Sequence, residues 1–260
     1  MLKITTVTST LNVEKDIDQF VKRFKFQKFI RKELIIVDGG SNDTTYKKLK
    51  VLKKKYRFLK IFRKNNSSIY EALNYGIKKS TGDIINILGS DDKFLNNKIF
   101  KIVERIFNEK KISFLYGNCN FNKNGKIIRV YSNKKFDKKS LKYGFMPAHT
   151  TMFVHKKIYK KLNFYSTKYK FASDFDFCFK LFQMKNIKKF YLDLNMVSMR
   201  SGGVSNVGIK NIFLSNKEVF NILKKNKINF ILIKLVFKII YKIVDILKFN
   251  FLIIIKKRIK

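Results

Sequence analysis

Short apolar runs alternate with longer amphipathic stretches through the first hundred residues. Residues 3–9, with Ile4-Thr5-Thr6-Val7-Thr8, predict a first buried strand. A helix is expected over 13–29, where Ile17, Phe20, Val21 and Phe24 recur at helical spacing. Strand 33–38, helix 44–56, a short strand 58–63 and helix 68–80 follow, the last carrying Ile69, Leu73 and Ile77 on one face. Strand 84–88 and helix 96–110 complete the series. Such alternation implies a parallel, doubly wound α/β sheet. Strands near 113–118 and 126–131 flank the turn Asn122-Lys123-Asn124-Gly125, so a hairpin should make the sheet mixed in the second half. A further helix is expected over 175–184. The expected fold is therefore a Rossmann-like mixed sheet flanked by helices.

From about residue 207 the pattern changes, which divides the chain into a 1–206 domain and a 207–260 helical tail. Residues 228–255 are almost continuously apolar, interrupted by Lys234, Lys238, Lys242, Asp245 and Lys248. At 100° per residue these polar positions fall in one narrow stripe, and Lys256-Lys257-Arg258-Ile259-Lys260 ends the chain. A basic amphipathic helix of this kind suits an anionic membrane surface. The alternative is that it packs on the domain or on another subunit. No stretch reaches the roughly 18 uncharged apolar residues of a membrane span, and the N-terminus lacks a signal-peptide pattern. The expected location is the cytoplasm, peripheral at the inner face of the membrane.

Composition adds a constraint. There are 58 Lys and Arg against 18 Asp and Glu, a net charge of +40. Such a balance invites a nucleic-acid reading, but the lysines are spread along the whole chain and no basic-aromatic module or helix-turn-helix stands out. Abundant Lys, Asn, Ile, Phe and Tyr, with one Pro and no Trp, fit compositional drift, with anionic-membrane affinity as a possible reinforcement. Cys119 and Cys178 match no metal or redox spacing and read as reduced, structural residues.

The scarce acids are the chemical signal. Strand 33–38 runs into Asp38-Gly39-Gly40-Ser41-Asn42-Asp43, and strand 84–88 into Gly89-Ser90-Asp91-Asp92. The carboxyl ends of strands in an α/β sheet open onto the ligand crevice, so two acidic strand ends point to a divalent metal and a phosphorylated ligand. Asp43 can serve instead as a cap for the next helix. Asp83 reads as a turn residue. Gly76, Gly82 and Gly144 read as turn glycines.

These motifs together resemble the family 2 glycosyltransferases of the GT-A fold, over residues 2 to about 205. Thr8-Ser9-Thr10-Leu11-Asn12 is similar to the family's first nucleotide-side loop, and Ile35 to Thr44 to its second. The resemblance implies that Thr8, Ser9, Thr10 and Asn12 line the nucleotide-sugar site and that Asp38 accepts from the uracil base. It implies that Asp92 coordinates Mn²⁺ or Mg²⁺, and that Asp91 contacts ribose or helps hold the metal. Asp174, in Ala172-Ser173-Asp174-Phe175-Asp176, falls at the position of the family's general base, with an N-cap role as the alternative and a structural role for Asp176. His149, in Pro147-Ala148-His149-Thr150-Thr151, either lines the acceptor pocket or is a core histidine, and His155 reads as surface. Arg200, opening Arg200-Ser201-Gly202-Gly203-Val204-Ser205, either meets phosphate or belongs to a loop with no contact. One departure is Asn65-Asn66-Ser67-Ser68, where the family often has an acidic residue and Gly.

The implied activity is single, inverting transfer from a UDP-sugar to a hydroxyl acceptor, a saccharide or lipid-linked saccharide in surface polysaccharide synthesis, with no nucleic-acid partner. A sugar nucleotidyltransferase is the rival enzyme. It would want a Gly-rich, cationic loop after the first strand, where Ser9-Thr10-Leu11-Asn12-Val13-Glu14 stands. A basic nucleic-acid-binding protein would leave the acidic strand ends without a purpose.

Overall fold

The computed structural model describes residues 1–134, 136–201 and 208–258, with side chains as far as Asp245 apart from Ile209. Strands β1 (Ile4–Thr10), β2 (Lys32–Asp38), β3 (Leu59–Arg63) and β4 (Ile84–Ile87) pair in parallel, with β1 between β2 and β4. The second half adds β5 (Lys93–Phe94), β6 (Phe114–Lys123), β7 (Lys126–Tyr131), β8 (Phe153–His155) and β9 (Lys189–Arg200). Antiparallel β8 joins β4 to β6, β9 runs parallel to β6, and β5 closes the far edge on β9. The nine-stranded sheet has the order β3-β2-β1-β4-β8-β6-β9-β5, with β7 paired to β6. The expected mixed α/β sheet is therefore present.

Residue alternation along the central strands builds two cores. Leu34 and Ile36 face one side, with Phe20, Val21 and Phe24 of α1 (Ile17–Lys25), Leu49 of α2 (Thr45–Lys55) and Phe100 and Val103 of α4 (Ile99–Lys110). Val7, Ile35 and Val37 face the other, with Leu73 and Ile77 of α3 (Ile69–Lys79), Ile158 of α5 (Lys156–Lys161) and Phe177 and Leu181 of α6 (Ser173–Gln183). That second core also takes Val219, Ile222 and Leu223 of α7 (Ile209–Lys225) and Ile231 and Leu235 of α8 (Ile231–Arg258). The C-terminal helices thus share the core of the preceding domain. The expected boundary at 206 lies outside the described residues.

Several expected limits move. The helix expected over 13–29 forms only as α1, because Asn12 takes φ 52° and Val13 N–H donates to Thr45 Oγ1 at 2.9 Å, tying this segment to the next loop. Gly76 is not a turn residue. It lies inside α3, where a Cβ would come within 2.5 Å of Val7 Cγ1, so its absence lets the helix settle on β1. His155, expected at the surface, is half-buried in β8.

Part of the polar stripe of α8 faces the domain, while Lys242 is exposed. Lys238 is buried, and Asp245 pairs with Arg129 of β7 at 2.6 Å. The apolar residues Leu232, Ile233, Val236, Phe237 and Ile240 are left exposed. No helix among the described residues is long and apolar enough to cross a membrane.

Candidate active site

The carboxyl ends of β1, β2 and β4 gather the predicted acids. Register pairs Thr10 with Asp38, and Val7 with Ile87, so the acidic segments after β2 and β4 emerge on either side of β1. Asp38 is fully buried and held by its own loop. Its Oδ2 accepts from Gly40 N–H at 3.2 Å and Ser41 N–H at 3.0 Å, and Ser41 Oγ donates to Oδ1. Gly40, at φ 105°, makes that turn possible. Arg63 Nε sits 3.4 Å from Oδ2 and its guanidinium lies over the Tyr46 ring. Oδ1 retains capacity for another donor.

The first loop is stitched to the second. Asn12 N–H donates to Ser41 Oγ at 2.9 Å, and Asn42 N–H donates to Asn12 Oδ1 at 3.0 Å. Asn12 therefore shapes the loop through its own hydrogen bonds. Thr8 and Thr10 are buried, and their hydroxyls have no partner among the described residues, while Ser9 is half-buried beside them. Asp43 accepts from Thr45 N–H at 2.9 Å and Glu14 N–H at 3.2 Å, the local structural use expected of it. At the departure Asn65-Asn66-Ser67-Ser68, Ser68 and Glu71 form a capping box that starts α3.

Asp91 and Asp92 converge over Gly89. A Cβ at Gly89 would lie 2.9 Å from both Asp91 Oδ1 and Asp92 Oδ2. Burial and the Asp91 charge push the Asp92 carboxyl up to about 7, only partly offset by Arg200 N–H, which donates to Oδ1 at 3.1 Å. Two crowded hard-oxygen donors over a glycine cradle fit a divalent cation such as Mg²⁺ or Mn²⁺. Among the described residues no group of three or more His, Cys, Asp and Glu comes together as a metal site. The pair fits a metal shared with ligand phosphates and water, the usual arrangement for Mg²⁺.

The third acid comes from the other half of the chain. Asp174 is the second residue of α6, whose N-cap is Ala172, so it does not cap the helix. Its Oδ1 accepts from Tyr70 Oη at 3.1 Å and Phe175 N–H at 2.8 Å, and Oδ2 faces His149 Nδ1 at 3.4 Å. Burial and the Asp174 charge hold the Tyr70 phenol well above its ordinary range, which keeps it a donor. His149 opens a 3-10 turn (His149–Thr151) anchored by Asn86 of β4, which donates to Thr150 O at 2.8 Å and Met152 O at 3.0 Å. His149 thus stands beside Asp174 rather than in the core. Asp176 is buried and paired with Lys180.

Tyr70, Arg63 and three further residues went unread in the sequence. Asp16 forks the Arg200 guanidinium at 2.7 and 2.9 Å, so that side chain is engaged by protein, while the loop 202–205 that Arg200 introduces lies outside the described residues. Glu218 of α7 accepts from Lys170, Phe171 and Ala172 N–H at 2.8–2.9 Å, holding the segment that delivers Asp174. Lys238 of α8 lies within electrostatic reach of Asp174.

Known proteins resemble this chain in sequence and in fold. A glycosyltransferase of uncharacterised specificity from Haemophilus influenzae is 28% identical over 208 residues, covering 78% of this chain and 80% of its own. A GalNAc(5)-diNAcBac-PP-undecaprenol beta-1,3-glucosyltransferase from Campylobacter jejuni is 24% identical over 142 residues, 54% of this chain and 45% of that protein. Among solved structures, Staphylococcus aureus TarS 1-349 in complex with UDP superposes with a TM-score of 0.68 at 19% identity, covering 88% of this chain and 66% of that one. The mannosyltransferase PcManGT from Pyrobaculum calidifontis, in complex with GDP-Man and Mn²⁺, gives 0.66 at 12% identity, covering 86% and 64%. These likenesses establish the GT-A fold. The sequence profile of glycosyl transferase family 2 matches residues 5–185, and the chain belongs to that family.

Proposed function

We propose that the protein transfers one sugar from a UDP-sugar to a hydroxyl acceptor, with inversion at the anomeric carbon. The observation that carries the reading is the Asp91–Asp92 pair converging over Gly89 beside the Asp38 loop. Asp38 accepts from the base, and the loop Thr8–Asn12, which Asn12 fixes, borders the nucleotide. Asp92, with Asp91, holds Mn²⁺ or Mg²⁺, which when bound neutralises charge developing on the departing diphosphate. Asp174 takes the proton of the acceptor hydroxyl as its oxygen bonds to the anomeric carbon and the bond to the diphosphate breaks. Tyr70 and His149 orient that carboxylate from two sides. Asp174 as a single base, with Asp176 taken up by Lys180, supports inversion by one displacement.

The acceptor is a lipid-linked saccharide in surface polysaccharide assembly, met by a protein lying peripherally on the inner face of the cytoplasmic membrane. Support comes from the outward apolar face of α8 on a chain of net charge +40, and from the undecaprenol-linked substrate in the name of the Campylobacter relative. Nucleic acid has no part in this reading.

The test is calorimetric titration with UDP, with and without Mn²⁺, on the wild type and Asp92→Ala. Mn²⁺-dependent binding that Asp92→Ala abolishes is expected. A wild type that fails to bind UDP in Mn²⁺ would overturn the UDP assignment.

A further inference from the structure

In a chain with 58 Lys and Arg, one of the 18 acids takes no cation. Glu218 of α7 turns its carboxylate on three successive backbone amides. Its Oε1 accepts from Lys170 N–H at 2.9 Å, and its Oε2 from Phe171 N–H at 2.8 Å and Ala172 N–H at 2.9 Å. Among the described residues it has no ion pair and no side-chain donor. Hydrogen bonds to an ionised acceptor are roughly twice as strong as neutral ones, so this is a firm hold on a short piece of main chain.

Both ends of that hold are anchored. Glu218 is half-buried, and Val219, Ile222 and Leu223 of the same helix are buried in the core that α6 shares. Phe171 and Ala172 are buried, and their N–H groups have no other acceptor. Phe171 O accepts from Tyr70 Oη at 3.1 Å, and Ser173 Oγ donates to Ser166 O at 2.6 Å. Ala172 is the N-cap of α6, and no side chain of its own segment caps the helix. In a capping box a Glu at the third helical position bonds the N-cap N–H. Here that position is Phe175, and Glu218 makes the bond from another helix. Asp174 follows Ala172 by two residues, so the backbone that Glu218 fixes sets where its carboxylate stands.

We propose that Glu218 is a positioning residue for Asp174, acting through the backbone of 170–172 to hold that carboxylate against Tyr70 and His149. The inference rests on the glycosyl-transfer reading for one point, that Asp174 is the base. It gives α7, which lies beyond the family profile's residues 5–185, a part in the reaction.

The experiment uses the full chain and its two histidines. His149 Nδ1 lies 3.4 Å from Asp174 Oδ2, so its ring resonance in a proton NMR spectrum reports where that carboxylate stands. His155, in β8, is the internal reference. Asp174→Asn shows the displacement that loss of the carboxylate produces. Glu218→Gln, which cannot accept from all three N–H groups, is expected to move the His149 resonance in the same direction. Exchange of the Phe171 and Ala172 amides should accelerate about tenfold. Val103→Ala, in the core on the other face of the sheet, is the control for lost stability and should melt lower without moving the resonance. UDP release from UDP-glucose in Mn²⁺ gives the catalytic readout. Glu218→Gln should lower kcat on the order of 10- to 100-fold, leave the KM for the donor unchanged, and add no loss in an Asp174→Asn background. A His149 resonance unmoved by Glu218→Gln, or moved equally by Val103→Ala, would overturn the proposal, as would a kcat loss undiminished in the Asp174→Asn background. A wild type that neither binds UDP in Mn²⁺ nor releases it from UDP-glucose, while His149 still responds to Glu218→Gln, would count against the glycosyl-transfer reading and leave Glu218 as the residue that places Asp174.

Discussion

Asp174 and Asp92 sit in different surroundings, and each makes a distinct prediction. Asp174 has a donor on Oδ1 from Tyr70 and a histidine at Oδ2, so Asp174→Asn keeps the packing while removing the proposed base. Steady-state assays with the cognate sugar should show kcat reduced by roughly 10²–10⁴, with UDP binding intact. Tyr70→Phe should cost less, on the order of 1 kcal/mol of stability, because Phe171 O loses the same hydroxyl as Asp174. Asp92 is instead a strained acid whose carboxyl sits near 7. Its folded pKa is raised above the unfolded value, so the folded state loses stability as pH rises from about 4 to 7, and the penalty is complete above that. In chelator, Asp92→Asn should therefore melt above the wild type at pH 8, by on the order of 2 kcal/mol, and match it near pH 4. Mn²⁺-dependent UDP binding should disappear in the same variant. Equal melting temperatures at pH 8 would show that Asp92 carries no such strain.

At the scale of elements, close approach decides what fits. Gly76→Ala places a methyl 2.5 Å from Val7 Cγ1 and 3.2 Å from Val37 Cγ2, so α3 must lift from the sheet. Overpacking of this kind should cost about 1–3 kcal/mol, and because α3 carries Tyr70, kcat should fall with it. Thermal denaturation and activity of one preparation test both. The first four strands and the helices between them were legible because each has its own apolar period. Strands β5 and β8, two and three residues long, carry no pattern and exist only through pairing with β9, β4 and β6. Asp38, Asp91 and Asp92 were legible because acids are rare here and these follow strands, whereas Asp174, on a helix, was legible only through the resemblance of its motif. Tyr70, Arg63 and Glu218 were not, since each sits in an ordinary helical or strand pattern and gains its role from a segment far away in sequence. The narrow basic stripe of α8 was visible, but its direction was not. A stripe seen in isolation reads as facing solvent, and here the Arg129–Asp245 pair and the close approach of Gly144 to Lys238 turn part of it toward the domain.

For the whole molecule, the proposed membrane contact divides into two separable contributions, charge and exposed apolar area. The net charge of +40 is spread along the chain, so its attraction to anionic lipid is long-ranged and screened by salt, with a Debye length of about 10 Å at 0.1 M. The outward side of α8 is local and apolar, with Leu232 and Ile233 each 69% exposed, and salt does not weaken its insertion. Sedimentation with phosphatidylglycerol vesicles should thus fall steeply between 0.05 and 0.5 M salt, both values chosen to span that screening, and then level at a residual set by α8. Replacing Leu232, Ile233 and Val236 together by Ser should remove the residual and leave the salt-dependent part, with the melting temperature nearly unchanged because all three are exposed. If the apolar face instead joined two copies of the chain, the wild type would dimerise in detergent-free solution and the Ser variant would be monomeric. Vesicle binding would then fall to zero at high salt in both proteins, because the dimer would have buried the surface that inserts.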